Sequence, residues 1–262
     1  MDILQIAYLA NPILIFCMAI GLGFFLIRRY HLGWRLFFIG GATYLGAQIV
    51  SILLMGFVQR GIQSITPPLP VQLLLTLLFI LLLIGIEEGI RYAMYRWWAK
   101  DIRSWADGLV LGAGHGGVEV ILIGLMALTT LVQLIPLRNA DLATIFTAEN
   151  LEQATEYVNN YWSKPWYNAL AEAIRCALTL PIQLSCSLLV LQVFLRKQYQ
   201  WLGYAIGWHT LASAPLFFID SEKYVYLPLI FVAVATLGSI GIIMRLQPQQ
   251  EQVGEPSALS AQ

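Results

Sequence analysis

Long runs of apolar residues separated by short polar stretches make up most of the chain. A helix that crosses a bilayer needs about 20 mostly apolar residues, and seven segments meet this length: 3–27, 34–59, 69–97, 105–136, 167–195, 201–219 and 224–244. A helix satisfies its backbone hydrogen bonds internally, so each segment is predicted to be a transmembrane helix. The pattern predicts an all-α fold, a polytopic transmembrane bundle of about seven spans.

Two polar regions interrupt or follow this pattern. The loop at about 137–166 contains "TAENLEQATEYVNNYW", whose apolar residues Leu151, Ala154, Val158 and Tyr161 recur at helical spacing. A short amphipathic helix is therefore expected there. Residues 247–262 are polar and low in aromatics, which predicts a disordered cytoplasmic tail. The chain is interpreted as one membrane domain, 1–246, followed by that tail.

The distribution of basic residues predicts the orientation. One set of helix ends carries Arg28, Arg29, Arg35, Arg96, Lys100, Arg103, Arg196, Lys197 and Arg245. The opposite ends carry fewer: Arg60, Arg138, Lys164 and Lys223. Because basic residues favour the cytoplasmic side, we expect the amino terminus outside and the carboxyl terminus in the cytoplasm.

Composition narrows the possible partners and cofactors. The chain is 58% hydrophobic and 11% charged, which is typical of a protein embedded in a lipid bilayer. Lys plus Arg and Asp plus Glu are each 15, so the formal net charge is zero. The chain therefore lacks the positive excess that would indicate a nucleic-acid partner. The cysteines Cys17, Cys176 and Cys186 have no CxxC spacing, so neither a disulfide framework nor a zinc knuckle is indicated.

Polar and ionisable residues inside the predicted spans are the candidate functional residues. Each ionisable group costs roughly 2.5–3.5 kcal/mol to insert, and such groups usually face a bundle interior or a water-filled cavity. They lie on four predicted spans: Glu87, Glu88 and Arg91; His115 and Glu119; Gln183; and His209 and Ser213.

Depth suggests that these residues meet. At about 1.5 Å per helical residue, Glu87 and His115 lie about 15 Å from the cytoplasmic ends of their spans, His209 about 12 Å and Gln183 about 18 Å. Four helices thus place polar side chains in one layer near the midplane. The layer is interpreted as a functional site, with a buried hydrogen-bond network that only specifies packing as the alternative.

Spacing within helices suggests roles. Arg91 is three residues from Glu88 and four from Glu87, so it can pair with either carboxylate. Glu88 and Arg91 are interpreted as the pair that makes the insertion tolerable, which leaves Glu87 for chemistry. His115 and Glu119, four residues apart, suit two metal ligands or a histidine oriented by a carboxylate. The glycines around His115 allow another backbone or a substrate to approach closely. Glu172 and Arg175 are interpreted as a charge-neutralised packing pair.

The motifs "EEGIRY", "GAGHGGVEVILIG", "AEAIR" and "GWHT" resemble those of the YhfC-type membrane peptidases, which look like relatives of the CAAX-protease and bacteriocin-processing group. The resemblance implies Glu87 as the base that activates water, His115 as its partner and His209 as a later assisting histidine. It also implies the plasma membrane of a bacterium. Ser213 stands where the wider group has asparagine or aspartate, and Gln183 where a histidine is expected.

Three functions remain open at this level. The first is an intramembrane endopeptidase that cleaves a membrane-embedded or membrane-proximal peptide, either without a cofactor or with a divalent metal such as zinc held by His115, Glu119 and His209. The second is a catalytically impaired relative that acts as a membrane binding or scaffold protein, in which filling a cavity at Gly116 abolishes the effect. The third is an ion- or proton-coupled transporter, which predicts internal repeats.

Overall fold

The fold was analysed in a computed structural model that describes residues 2–62, 68–219, 224 and 226–248. Across these residues the chain is helical and contains no β-strand. The α-helices are α1 (Ile3–Tyr30), α2 (Trp34–Ile62), α3 (Leu69–Trp97), α4 (Trp105–Leu137), α5 (Ala148–Ser163), α6 (Ala171–Arg196), α7 (Gln200–Ser213) and α8 (Leu227–Arg245). Short 3-10 turns cover Leu142–Thr144, Trp166–Leu170 and Ala214–Phe217. The predicted all-α class is confirmed.

Six helices in the described part of the chain are long and apolar enough to cross a membrane: α1, α2, α3, α4, α6 with its preceding turn, and α8. The predicted span at 201–219 folds instead as the 14-residue α7 and the turn that follows it. Seven spans and the orientation of the termini stay predictions. Most of the predicted tail, residues 249–262, lies outside the described residues.

Helix α4 lies at the centre of the bundle and contacts α1, α2 and α6. Every residue from 108 to 117 is buried, His115 among them. The glycines of this segment explain the close packing. A Cβ at Gly114 would overlap the carbonyl oxygen of Phe37 on α2, and one at Gly112 would lie 2.9 Å from Cα of Leu184 on α6. The approaching backbones belong to neighbouring helices, so these glycines serve helix packing.

Helix α3 is peripheral and turns only one stripe of side chains inward. Its buried residues are Ile80, Ile84, Glu88, Arg91, Met94 and Tyr95. These positions follow the three-to-four residue period of a helix face. Large leucines before them, such as Leu74 and Leu78, are exposed and form a surface suited to lipid. Glu88 and Arg91 therefore face the bundle interior, where other helices can neutralise them, whereas Arg96 near the end of α3 is exposed.

The connection between α3 and α4 is fixed by hydrogen bonds. Arg103 donates from Nη1 to the carbonyl oxygens of Ala99 (2.8 Å) and Ile102 (2.5 Å), and from Nη2 to that of Tyr95 (3.2 Å). Ser104 then caps α4, because its side chain accepts from the backbone N–H of Asp107. These bonds fix the register between α3 and α4, and with it the relative height of their polar residues.

The amphipathic helix α5 lies over the ends of α1 and α4. Val158 is its buried residue. The Tyr8 hydroxyl donates to the carbonyl oxygen of Tyr161 at 2.7 Å, and the two rings stack. At the same end of the bundle, the Arg138 guanidinium donates to the Asp2 carboxylate and lowers the pKa of that carboxyl. The loop is thereby attached to the first and fourth helices.

Gly114→Ala is expected to destabilise the fold by about 1–3 kcal/mol, because the new methyl group meets backbone atoms of Phe37 that no rotamer change can move away. Gly85→Ala on α3 is the matched control, since a Cβ there has nothing within 4 Å. The midpoint of thermal unfolding in detergent measures both changes. Equal midpoints for the two variants would contradict the packing role of Gly114.

Candidate functional site

Glu87 lies at the centre of a polar cluster contributed by α3, α4, α6 and α7. Its Oε1 atom is 2.8 Å from Nε2 of His115, 3.4 Å from Nε2 of Gln183 and 3.8 Å from Nδ1 of His209. The helices thus bring together the four residues that were placed in one layer by depth. The Glu87 side chain is 15% exposed, whereas that of His115 is completely buried, so the carboxylate is the accessible member of this pair.

Glu88 and Arg91 form the charge-neutralising pair of α3. Nη1 of Arg91 lies 2.7 Å from both carboxylate oxygens of Glu88, and both side chains are fully buried. Nη2 of Arg91 is farther from Glu87, at 3.5 Å. The i,i+3 pair is therefore the strong one, and Glu87 is left to interact with other groups.

The ring of His115 is oriented by Thr43 on α2. The Thr43 hydroxyl donates to the carbonyl oxygen of Gly40 at 2.5 Å, so its oxygen can only accept from Nδ1 of His115, 2.6 Å away. The neutral ring then carries its proton on Nδ1 and its lone pair on Nε2, which faces Glu87. The sequence analysis missed Thr43; its one signal was a hydroxyl residue beside the Gly40-Gly41 pair in an apolar helix.

His209 is oriented in the same way by Glu88. Its Nδ1 atom lies 2.7 Å from Oε1 of Glu88. A carboxylate paired with Arg91 is an acceptor, so Nδ1 of His209 is the donor, and the neutral ring carries its lone pair on Nε2. Both histidines thus have Nδ1–H bound to a fixed oxygen. Metal-binding and catalytic histidines commonly have their second nitrogen held in this manner.

A positive charge is required between Glu87 and His115. An imidazole lone pair and a carboxylate oxygen are both acceptors, and at 2.8 Å they would repel each other without one. A shared proton satisfies both atoms. A metal ion bound by both groups would satisfy them as well. The pair is therefore suited either to moving a proton or to contributing two metal ligands.

Gln183 connects Glu87 to Glu119. Its Oε1 accepts from Nη2 of Arg91 at 2.7 Å, which fixes the direction of the amide. Its Nε2 donates to Oε2 of Glu119 at 2.7 Å and reaches Glu87 at 3.4 Å. The glutamine in place of the expected histidine is therefore a buried hydrogen-bonding link between two carboxylates.

A cavity of about 400 Å³ lies beside the cluster. Glu87, Glu119, His209 and Ser213 line it. Most of its other walls are apolar side chains of the surrounding helices, with a few polar groups: Gln48, Ser51, Arg175 and Thr179. A volume of this size, mainly apolar with convergent polar groups, is typical of ligand-binding sites.

Gly116 does not border this cavity. A Cβ at Gly116 would lie 2.9 Å from Cβ of Gln183, inside the contact between α4 and α6. The expectation that Gly116→Leu fills a substrate cavity is therefore wrong, because the larger side chain would separate two helices. Ser213→Leu is the better cavity-filling change, since Ser213 lines the cavity wall.

Two groups of potential metal ligands differ in how well they fit an ion. Among the described residues, donor atoms of Glu88, Cys186 and His209 lie within 4.8 Å of one another. However, the Arg91 guanidinium already binds both oxygens of Glu88, and its charge would repel a cation there. His115 and Glu87 fit better, because Nε2 and a carboxylate oxygen already face each other.

The predicted ligand set of His115, Glu119 and His209 stays a prediction. His209 and Glu119 line the cavity that Glu87 also borders, but among the described residues neither completes, with His115 and Glu87, a group of donor atoms within 4.8 Å of one another. The structure adds that Glu87, not Glu119, lies next to His115, while Glu119 is bonded to Gln183. Histidine nitrogen with carboxylate oxygen is a donor set that zinc accepts.

Comparison with known proteins shows the family to which the chain belongs. Residues 14–234 match the family model described as YhfC intramembrane metalloprotease. The membrane protein YhfC of Bacillus subtilis (strain 168) is 28% identical over 233 residues, which covers 87% of this chain and 89% of that protein. No solved structure matches. The family match covers most of the chain, including all the residues of the polar cluster, and the chain therefore belongs to the YhfC family of intramembrane metalloproteases.

Proposed function

We propose that the protein is an endopeptidase that hydrolyses a peptide bond in or near the plasma membrane of a bacterium. The observation that carries this proposal is the Glu87–His115 pair, at 2.8 Å, beside a cavity that His209 also lines. A carboxylate that meets both a histidine and an accessible cavity can bind and deprotonate a water molecule. The predominantly apolar cavity wall suits a peptide segment that comes from the bilayer.

Glu87 acts as the general base. It removes a proton from water while the water oxygen attacks the carbonyl carbon of the peptide, and His115 holds the carboxylate in position. The tetrahedral intermediate carries its negative charge on the former carbonyl oxygen. When protonated, His209 donates from Nε2 to this oxygen, while Nδ1–H remains bound to Glu88.

Collapse of the intermediate breaks the carbon–nitrogen bond. The proton taken up by the Glu87–His115 pair passes to the leaving nitrogen, so that the products are a carboxylic acid and an amine. Glu88, Arg91 and Gln183 hold these groups in place and do not exchange protons with the substrate. Ser213 offers a hydroxyl in the cavity wall, a weaker orienting group than the carboxylate or amide of the wider group.

A metal ion fits the same residues. His115 and Glu87 would hold it, with His209 or Glu119 as further ligands. When bound, such an ion supplies Lewis acidity and activates water at neutral pH. In either case Thr43 and Glu88 keep Nδ1 of the two histidines occupied, which directs Nε2 to the reaction.

His115→Ala is expected to abolish cleavage, because it removes the group that shares a charge with Glu87. Membrane fractions of bacteria that produce the parent or the variant are compared by mass spectrometry of peptide termini. New termini in membrane-spanning segments should appear with the parent and be absent with His115→Ala.

His31→Asn is the matched control, since His31 lies at the exposed end of α1 and adopts the left-handed conformation that asparagine also accepts. Metal content of the purified proteins is measured in parallel and should fall in His115→Ala if an ion is held there.

Identical termini in parent and His115→Ala cells would reject the protease and favour a binding protein. Glu87-dependent ion flux in vesicles would favour a transporter.

A further inference from the structure

A cationic side chain, Arg175, lines the cavity. It lies on the second turn of α6, and its side chain is 30% exposed. Of the described residues that line the cavity, Arg175 is the only lysine or arginine, whereas Glu87 and Glu119 contribute carboxylates. The cavity therefore has carboxylates at the polar cluster and a guanidinium at Arg175.

Glu172 holds the Arg175 guanidinium in a fixed direction. Nε donates to Oε2 of Glu172 at 3.1 Å, and Nη2 donates to Oε1. These bonds use one edge of the guanidinium. Nη1 belongs to the other edge, and a planar guanidinium held along one edge can still bind a second carboxylate. Arg175 is thus preorganised, which reduces the entropy lost when a ligand binds.

The distance between the two charged regions corresponds to a few peptide residues. Arg175, Thr179 and Gln183 lie four residues apart on one face of α6, so Arg175 and Gln183 are separated by about 12 Å along the helix. Thr179 also lines the cavity, and Gln183 contacts Glu87. An extended peptide advances about 3.3 Å per residue. A peptide lying along α6 would therefore reach Arg175 three to four residues from the bond at Glu87.

We propose that Arg175 is a substrate-specificity subsite for a carboxylate of the peptide, an acidic side chain or a terminal carboxylate, three to four residues from the scissile bond. This inference rests on the proposed function and names its substrate class: a mainly apolar peptide with one acidic group. Binding of that group at Arg175, away from the carboxylates of Glu87 and Glu119, fixes the direction in which the peptide lies. The pairing with Glu172, at first interpreted as packing, orients the subsite.

The test measures binding separately from cleavage. Full-length Glu87→Gln protein in phosphatidylcholine vesicles is titrated with fluorescent 21-residue leucine–alanine peptides that carry one Asp or one Asn, placed two to six residues from the centre. Asp at three to four residues should bind about tenfold tighter than Asn, in line with one charge-assisted hydrogen-bonded pair. This preference should disappear in Arg175→Gln, and Arg175→Glu should prefer Lys at the same position.

Arg138→Gln is the matched control, since Arg138 is another partly exposed arginine with a carboxylate partner but does not line the cavity. It should keep the preference for Asp. Equal binding of Asp and Asn peptides to the parent, or a preference that survives Arg175→Gln, would overturn the subsite. If phosphatidylglycerol in the vesicles removes the preference in the parent, Arg175 binds lipid phosphate and the peptide assignment is wrong. Because Glu87→Gln is used throughout, these results do not depend on whether the protein cleaves the peptides.

Discussion

Replacing Glu87 by glutamine is expected to reduce kcat/KM for a membrane peptide by at least about 10²–10⁴-fold, the usual contribution of a general base. Glutamine preserves the size of the side chain and a hydrogen-bond acceptor, but it cannot take a proton from water. It also removes the negative charge that His115 faces at 2.8 Å. Purified protein in vesicles, with a substrate identified from the terminal peptides, provides the rate.

Two further variants make this result interpretable. Glu152 lies on the exposed surface of α5, so Glu152→Gln should leave the rate unchanged. Glu87→Asp keeps the charge but withdraws it from His115 by one methylene, so an intermediate rate is expected. Glu87→Gln with the parent's rate would remove Glu87 from the mechanism. Since the thermal unfolding midpoint is recorded for each variant, loss of fold can be distinguished from loss of chemistry.

The largest effect on stability is expected for Arg91→Met. The change leaves the buried Glu88 carboxylate without its cation, and breaking a buried pair in this way costs about 3–5 kcal/mol. Gln183 also loses its donor to Oε1. For a chain of this size, the loss corresponds to a fall of about 10 °C in the unfolding midpoint. Scanning calorimetry or intrinsic fluorescence in detergent measures it.

Arg96→Met should change the midpoint little, because Arg96 lies on the same helix but is exposed and donates to the Tyr92 hydroxyl at 3.2 Å. The double variant Glu88→Met with Arg91→Met should recover part of the loss, because two apolar side chains replace the ion pair, although His209 Nδ1 and Gln183 Oε1 still lose their partners. If the double variant is as unstable as the sum of the single ones, the pair does not act as a unit. The contribution of Arg91 would then come from Gln183 and Glu87.

The sequence was sufficient for the membrane class, because apolar runs of bilayer length leave few other folds. It also predicted that Glu87, His115, His209 and Gln183 meet, since a helix converts residue number into depth at a constant rise. The spacing allowed Arg91 to pair with either glutamate, and the predicted pairing with Glu88 is the closer one in the structure. Helical geometry, which is local, carried all of these inferences.

The tertiary structure decided how each helix is rotated and which side chains of neighbouring helices come into contact. Rotation of α2 and α4 about their axes brings Thr43 to His115, and this contact selects the tautomer. The packing of α4 against α6 assigns Gly116 to a helix contact and Gln183 to a link between carboxylates. Arg175 could be paired with Glu172 from spacing alone, but only the assembled bundle places it in the wall of the cavity. Depth is a property of each helix by itself, whereas the rotation and the neighbours of each helix depend on the packing of the whole bundle.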